Sequence, residues 1–252
     1  MKPLRLIAGT SLLHRTIAYA RRAMAEMPDA ALVVATDDKR IADHAAEADC
    51  AVSLTDPAIA SGSGRALAAA RQRSDRPDVV VNLQGDAPFQ PEGALAAIVD
   101  ALRHGDADVA TPVVPLDWDA LDALRRHKHA APFSGTTCVR RADGRALWFS
   151  KTIIPAIRDE ASLRAAGTPC PVLRHVGLYA YRHAALEAFE SAAPTDLERL
   201  EGLEQLRLLE LGLTIDAVAV APARLDLSGI DTEADIARAE ALITAHGDPL
   251  TG

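Results

Sequence analysis

Cysteine is scarce: Cys50, Cys138 and Cys170 are the only three in 252 residues. They are odd in number, far apart and match no zinc-ligand spacing, which argues against a disulfide framework or a thiolate metal site. They read as reduced core thiols. Long apolar runs are also missing, since no segment approaches the roughly 18 uninterrupted apolar residues of a membrane span. The opening stretch MKPLRLIAGTSLLHR has bases early but lacks the apolar centre and small-residue cleavage site of a secretory signal, so a cytoplasmic location is expected. There is no excess of bases either. The 35 acids outnumber the 27 bases for a formal charge of −8, and no run of lysine and arginine stands out. This excludes an electrostatic groove for nucleic acid. An acidic chain can still bind an anionic substrate, provided a few bases and a metal are focused at one place. No internal repeat or low-complexity linker occurs, and no serine, histidine and acid spacing asks for a covalent nucleophile.

The remainder is ordinary globular composition, 49% apolar and 25% charged, in a chain long enough to bury a sizeable core. Apolar runs alternate with helix-like stretches, the pattern of a parallel sheet covered on both faces. Strands are predicted at 31–36, 79–84, 108–114, 146–150, 172–182 and 214–220. Helices are predicted at 11–26, 39–48, 64–73, 92–102, 197–210 and 233–244. Asp38 is placed to cap the second helix, and Asp231 or Thr232 the last, with Asp235 in its first turn. The whole of 1–252 reads as one domain in which the less regular stretch 117–173 forms a lobe.

The segment VVVNLQGDAPFQP, Val79 to Pro91, ends an apolar strand on a lone carboxylate. In open parallel sheets ligands collect beyond the carboxyl ends of strands. Asp86, after a flexible glycine, is therefore placed to hold a cation, although taken alone it reads more readily as a turn or cap residue.

Several segments together resemble the 3-deoxy-manno-octulosonate cytidylyltransferase (CMP-Kdo synthetase) family. VVNLQGDAPFQP is similar to the family pattern VVNVQGDEPxxP, and LRHVGLYAYR to LRHIGIYxYR. LERLEGLEQLRLLELG is similar to LExLExLEQLRxLExG, GIDTEADIARA to GVDTPEDLExV, and VVATDDKRIADHAAEA to the second strand and following helix. These segments are collinear and cover most of Lys2 to Leu242. The resemblance implies an α/β, Rossmann-like nucleotidyltransferase fold (that of nucleotide-diphospho-sugar transferases), a mostly parallel sheet with helices on both faces, and a small dimerisation lobe. It implies magnesium, a homodimer, and transfer of CMP from CTP to the anomeric hydroxyl of the sugar acid Kdo for lipopolysaccharide or capsule. It supplies Asp231 as a second carboxylate that holds Mg²⁺ with Asp86, and Lys2 as a catalytic phosphate contact. Arg65 would reach the nucleotide. Gln84, His175, Tyr179, Glu204 and Gln205 would contact the sugar acid, and Lys151 stands where the family usually has arginine.

The match is incomplete. Family members begin with IIPARxxSxRLPGKPL, a strand and phosphate-cradling loop of which only Lys2 and Pro3 find a counterpart. Gly64 replaces an aspartate, Ala87 replaces a glutamate, and SGTTCVRR lacks a family lysine. Two alternatives to the transferase therefore stay open: an inactive homologue that binds nucleotide or sugar, and a nucleotidyltransferase with another base or sugar.

Overall fold

The computed structural model describes residues 2–225, 230 and 232–250. The chain packs into two compact units, residues 1–96 with 222–252, and residues 97–221.

The first unit opens on a hairpin of β1 (Leu6–Ile7) and β2 (Thr10–Ser11). Its two-residue loop places Ala8 and Gly9 at φ 47° and 77°, the left-handed pair that matches strand twist in tight hairpins. Helix α1 (Leu12–Ala23) begins at once, capped by the Ser11 hydroxyl, which accepts the His14 N–H. Its buried residues include Leu12, Leu13, Thr16, Ile17, Tyr19 and Ala20. Parallel strands β3 (Val33–Thr36) and β4 (Ala51–Leu54) are joined through α2 (Lys39–Glu47), which Asp38 caps as expected. Ser61 caps α3 (Gly62–Arg71), and β5 (Val79–Asn82) follows. Near the other end of the chain, α10 (Glu233–His246) starts on a reciprocal capping box between Thr232 and Asp235.

Two apolar clusters hold this unit together. Ile7 and Leu12 pack with Ile230 and Ala239, so α10 covers the hairpin. Leu13 and Ile17 pack with Ala45 and Cys50, tying α1 to α2 and β4. Arg15 is only 1% exposed, yet it is satisfied by the Ile7 carbonyl and by a two-pronged pair with Asp248. A buried charge paired in this way resists loss of its partner.

Helix α4 (Ala94–His104) carries the chain into the second unit. There the buried strand β6 (Val109–Pro115) is central. Strand β11 (Ile215–Ala219) pairs parallel along one edge of it, and β9 (Leu173–His175) and β10 (Tyr179–Arg182) pair antiparallel along the other. Beyond β9 come β7 (Thr137–Arg140) and β8 (Ala146–Ser150), again antiparallel. The expected mostly parallel sheet is thus corrected to a mixed one. The reason is connection length: a tight turn closed by Arg141 N–H to the Arg145 carbonyl joins β7 to β8, whereas parallel neighbours need a crossover of about a dozen residues.

Two predicted elements are split. The strand expected at 172–182 becomes β9 and β10, because Val113 pairs with His175 and Ala110 with Ala180. Four residues, 176 to 179, therefore oppose only Thr111 and Pro112. Pro112 accepts the Val176 N–H at 3.1 Å but has no N–H to return. After α7 (His183–Ser191), the helix expected at 197–210 becomes α8 (Asp196–Glu201) and α9 (Glu204–Glu210). Gly202 breaks it in the left-handed conformation, φ 62°, that favours glycine at helix ends.

The stretch 117–173 lies within the second unit and is more regular than its sequence suggested. It holds α5 (Trp118–Ala130), capped by Asp117, the strands β7 and β8, and α6 (Glu160–Ala165). Arg125 and Arg164 bind Glu160 and Asp122 across α5 and α6, and Leu121 packs with Leu116, Cys170 and Val172. All three cysteines are free and buried, as expected. Among the described residues no helix is long and apolar enough to cross a membrane.

Candidate active site

The candidate residues fall into one group in each unit. In the first, β5 ends at Asn82 and the chain turns: the Ala87 N–H reaches the Gln84 carbonyl at 3.1 Å, which leaves Gly85 and Asp86 at the tip. A β-carbon at 85 would meet Leu13 Cδ1 at 3.4 Å, an ordinary contact, so space alone does not demand glycine here. Asp86 keeps 23% of its side chain exposed, and its Oδ2 accepts from Lys2 Nζ at 2.7 Å. The residues that follow Lys2 are tied down. The Leu13 and Leu12 N–H groups, unpaired donors of the first turn of α1, reach the Pro3 and Arg5 carbonyls at 2.9 Å each. Lys2 and Asp86 are therefore brought together, and Gln84 stands exposed two residues before. Arg65, on α3, donates to Thr55 Oγ1 at 2.7 Å and pairs with Asp37 at 3.2 Å, so the structure gives it protein partners. The expected partner of Asp86, Asp231, lies outside the described residues.

In the second unit the break between β9 and β10 sets His175 and Tyr179 side by side, with ring centroids 5.4 Å apart. The Thr111 hydroxyl donates to the Leu178 carbonyl at 2.8 Å, so it accepts from His175 Nε2 at 2.9 Å. That assignment leaves His175 Nδ1 as an acceptor. Burial, and secondly the Lys151 ammonium, lower the His175 pKa to about 3, so the ring is neutral at physiological pH. Burial also pushes the Tyr179 hydroxyl well above its usual pKa, with the charge of Glu204 adding to the effect. Tyr179 is a neutral hydrogen-bonding group.

The helix break at Gly202 brings in Glu204 and Gln205 at the start of α9. Desolvation on its protein side raises the Glu204 carboxyl above the usual range. Gln205 is 3% exposed, and its Nε2 finds no hydrogen-bond acceptor among the described residues. An orphaned buried donor costs about 1 to 3 kcal/mol, which a ligand oxygen would offset.

Lys151 sits just past β8, its ammonium partly desolvated and its pKa lowered by burial. Two residues that the sequence reading did not single out hold this corner. Glu201 accepts from the Ser150 hydroxyl and from the Lys151 N–H, each at 2.8 Å. Lys128, from α5, donates to the carbonyls of Ser134, Gly135 and Lys151. Glu201 was within sight, as the second acid of LERLEGLEQLR. Lys128 carried no such signal, because a lysine on a helix usually faces water.

The arrangement offers a carboxylate and an ammonium to a phosphate and cation in one unit. In the other it offers neutral donors and acceptors beside a lysine, as a hydroxylated carboxylic acid would need. Comparison with known proteins agrees. A family profile described as cytidylyltransferase matches residues 1–215. A 3-deoxy-manno-octulosonate cytidylyltransferase of Maricaulis maris is 36% identical over 98% of this chain and 92% of its own. One from Xylella fastidiosa is 40% identical over 95% of this chain and 89% of its own. A solved CMP:2-keto-3-deoxy-manno-octonic acid synthetase, complexed with CTP, superposes with a TM-score of 0.79 at 27% identity, covering 97% of this chain and 92% of its own. The chain belongs to the cytidylyltransferase family and, within it, to the 3-deoxy-manno-octulosonate cytidylyltransferases, the CMP-Kdo synthetases.

Proposed function

We propose that this chain transfers CMP from CTP to the anomeric hydroxyl of 3-deoxy-manno-octulosonate. The hydroxyl oxygen forms a bond to the α-phosphorus and loses its proton, while the bond from that phosphorus to the bridging oxygen breaks and pyrophosphate leaves. Such a displacement needs little covalent help from protein, and positioning with charge stabilisation supplies most of the rate. The carrying observation is the Lys2–Asp86 pair at a strand-end turn, in a chain that matches these enzymes over nearly its full length.

The first unit serves the nucleotide. Lys2 Nζ offers positive charge to phosphate oxygens and orients the Asp86 carboxylate. Asp86 also fits a hard divalent cation, being a partly exposed oxygen donor at a position that already holds an ammonium. Bound there with Asp231, Mg²⁺ would neutralise phosphate charge and favour ionisation of the attacking hydroxyl. Arg65 acts through its partners, Asp37 and Thr55, to fix the strand end at β3. The second unit serves the sugar acid, and Lys151 faces its carboxylate. In the first unit Gln84 keeps an exposed amide two residues before Asp86. His175 Nδ1, the Tyr179 hydroxyl, Glu204 and Gln205 Nε2 meet the hydroxyls of the sugar acid. A site built to pair hydroxyls rejects a sugar that lacks them, because its buried polar groups would be left unpaired.

The reading extends to a cytoplasmic homodimer. Phe133, Leu147 and Leu200 are 78%, 55% and 80% exposed on the second unit and supply apolar surface for a second copy.

Pyrophosphate release from CTP with magnesium tests the reaction. Release is expected only with the sugar acid present, and Asp86→Asn should lower kcat at least about 100-fold. Calorimetry that shows CTP binding without turnover on any sugar acid would support the inactive homologue instead.

A further inference from the structure

Helices α1 and α2 meet at a cluster that the transfer reaction does not use. His14 of α1 and His44 and Glu47 of α2 each bring one potential ligand atom within 4.8 Å of the others. The two imidazoles lie face to face, centroids 3.8 Å apart and 8° from parallel. Their hydrogen bonds fix their protons. His14 Nε2 lies 2.8 Å from the His44 carbonyl oxygen. A carbonyl only accepts, so Nε2 carries a proton, and Nδ1 is the ring atom left to bind a ligand. His44 Nδ1 lies 2.7 Å from Glu47 Oε2 and donates to it. His44 Nε2 lies 2.8 Å from the Ser11 hydroxyl, from which it accepts in the Nδ1–H tautomer. Ser11 in turn accepts the His14 backbone N–H, so the α1 cap belongs to the same network.

Two imidazoles and a carboxylate are thus gathered at the C-terminal turn of a helix, whose carbonyl dipoles favour positive charge. His44 and Glu47 share a helix face by their spacing of three. We propose that His14, His44 and Glu47 form a site for a divalent first-row transition metal of the zinc class, which clips α1 to α2. Two nitrogens and one carboxylate oxygen, with water as the fourth ligand, suit tetrahedral zinc. Magnesium and calcium prefer all-oxygen sets.

Uptake follows from the hydrogen bonds. The ion replaces the proton shared between His44 Nδ1 and Glu47. That proton moves to His44 Nε2, and the Ser11 hydroxyl changes from donor to acceptor, so no proton is lost and the ring keeps an outer partner, as metal-bound histidines do. Parallel rings present their lone pairs side by side rather than converging. One ring must turn, and His14 is the less restrained: among the described residues its ring makes one hydrogen bond, whereas His44 is held at both nitrogens.

The test is titration of the metal-free full chain with zinc alone against a chromophoric chelator, paired with thermal unfolding. One zinc per chain, a rise in Tm and indifference to millimolar magnesium are expected. His14→Ala and Glu47→Gln should each weaken binding at least about tenfold and abolish the rise in Tm. Glu47 is exposed on α2, so its variant keeps the test decisive if a histidine variant fails to fold. His127→Ala with His129→Ala, on the exposed end of α5, should change nothing. Absence of stoichiometric binding, equal affinity in the Glu47→Gln chain, or loss of binding in the His127/His129 variant would overturn the site.

Discussion

On the proposed reading, phosphate chemistry turns on Lys2. Lys2→Met removes the positive charge 2.7 Å from Asp86 while keeping the alkyl stem. Its expected effect is a kcat for pyrophosphate release reduced at least about tenfold with little change in Tm, since a half-exposed pair contributes little to stability. Asp248 shows the opposite balance. The hydrogen bond from buried Arg15 holds its carboxyl below the usual aspartate range. The native state therefore binds fewer protons than the unfolded chain in mild acid, so this contribution is present above an ordinary aspartate pKa of about 4 and fades as pH falls through the lowered native value. Asp248→Asn should cost about 2 kcal/mol in urea unfolding at pH 7, a buried-pair loss discounted for partial exposure. The difference from the parent should shrink at the acid end. The motifs around Asp86, His175 and Gln205 were readable in the sequence because they sit on short collinear patterns. The pairing of Lys2 with Asp86, the two partners of Arg65 and the carbonyl-binding role of Lys128 were not, since long side chains choose partners that only the folded backbone brings near.

Element by element, local chemistry predicted starts better than stops. Asp38 and Thr232 cap the helices they were expected to cap, because a short side-chain acceptor satisfies the first unpaired amides wherever it precedes an amphipathic run. The stops at Gly202 and at 176–178 were missed because the apolar pattern continues through both. Helix α5 was missed because its polar face outweighs the stripe around Leu121. Gly202→Ala should destabilise by about 1 kcal/mol or more through the left-handed backbone, measurable by urea unfolding. It should also raise KM for the sugar acid by displacing Glu204 and Gln205. Lys128→Met removes the ammonium that gathers three carbonyls around Lys151. The expected split is a higher KM for sugar acid with KM for CTP unchanged, read from initial rates.

At the scale of the whole molecule, stability and activity should respond differently to acid. His175 is held neutral down to about pH 3, chiefly by burial. Between there and its unfolded value of about 6.5 the unfolded chain binds the extra proton, so acid erodes stability over that window. His175→Asn should flatten that part of the pH–stability curve, and in the parent no activity change near neutrality should trace to this ring. The alternation of strands and helices revealed the α/β class, whereas the hairpins that make the second sheet mixed depended on turns too short to show in hydrophobic periodicity. The division into two units left no mark on composition.

Pro112 has a further consequence. Its ring withholds one amide from the edge where β9 and β10 pair, and two surplus residues on the facing chain are spent in the gap. Pro112→Val would supply the missing donor and add one rung to that edge. Such a chain should resist heat slightly better, yet the surplus residues would still bulge, so the insertion outlasts the imino acid as the cause of the break that sets His175 beside Tyr179.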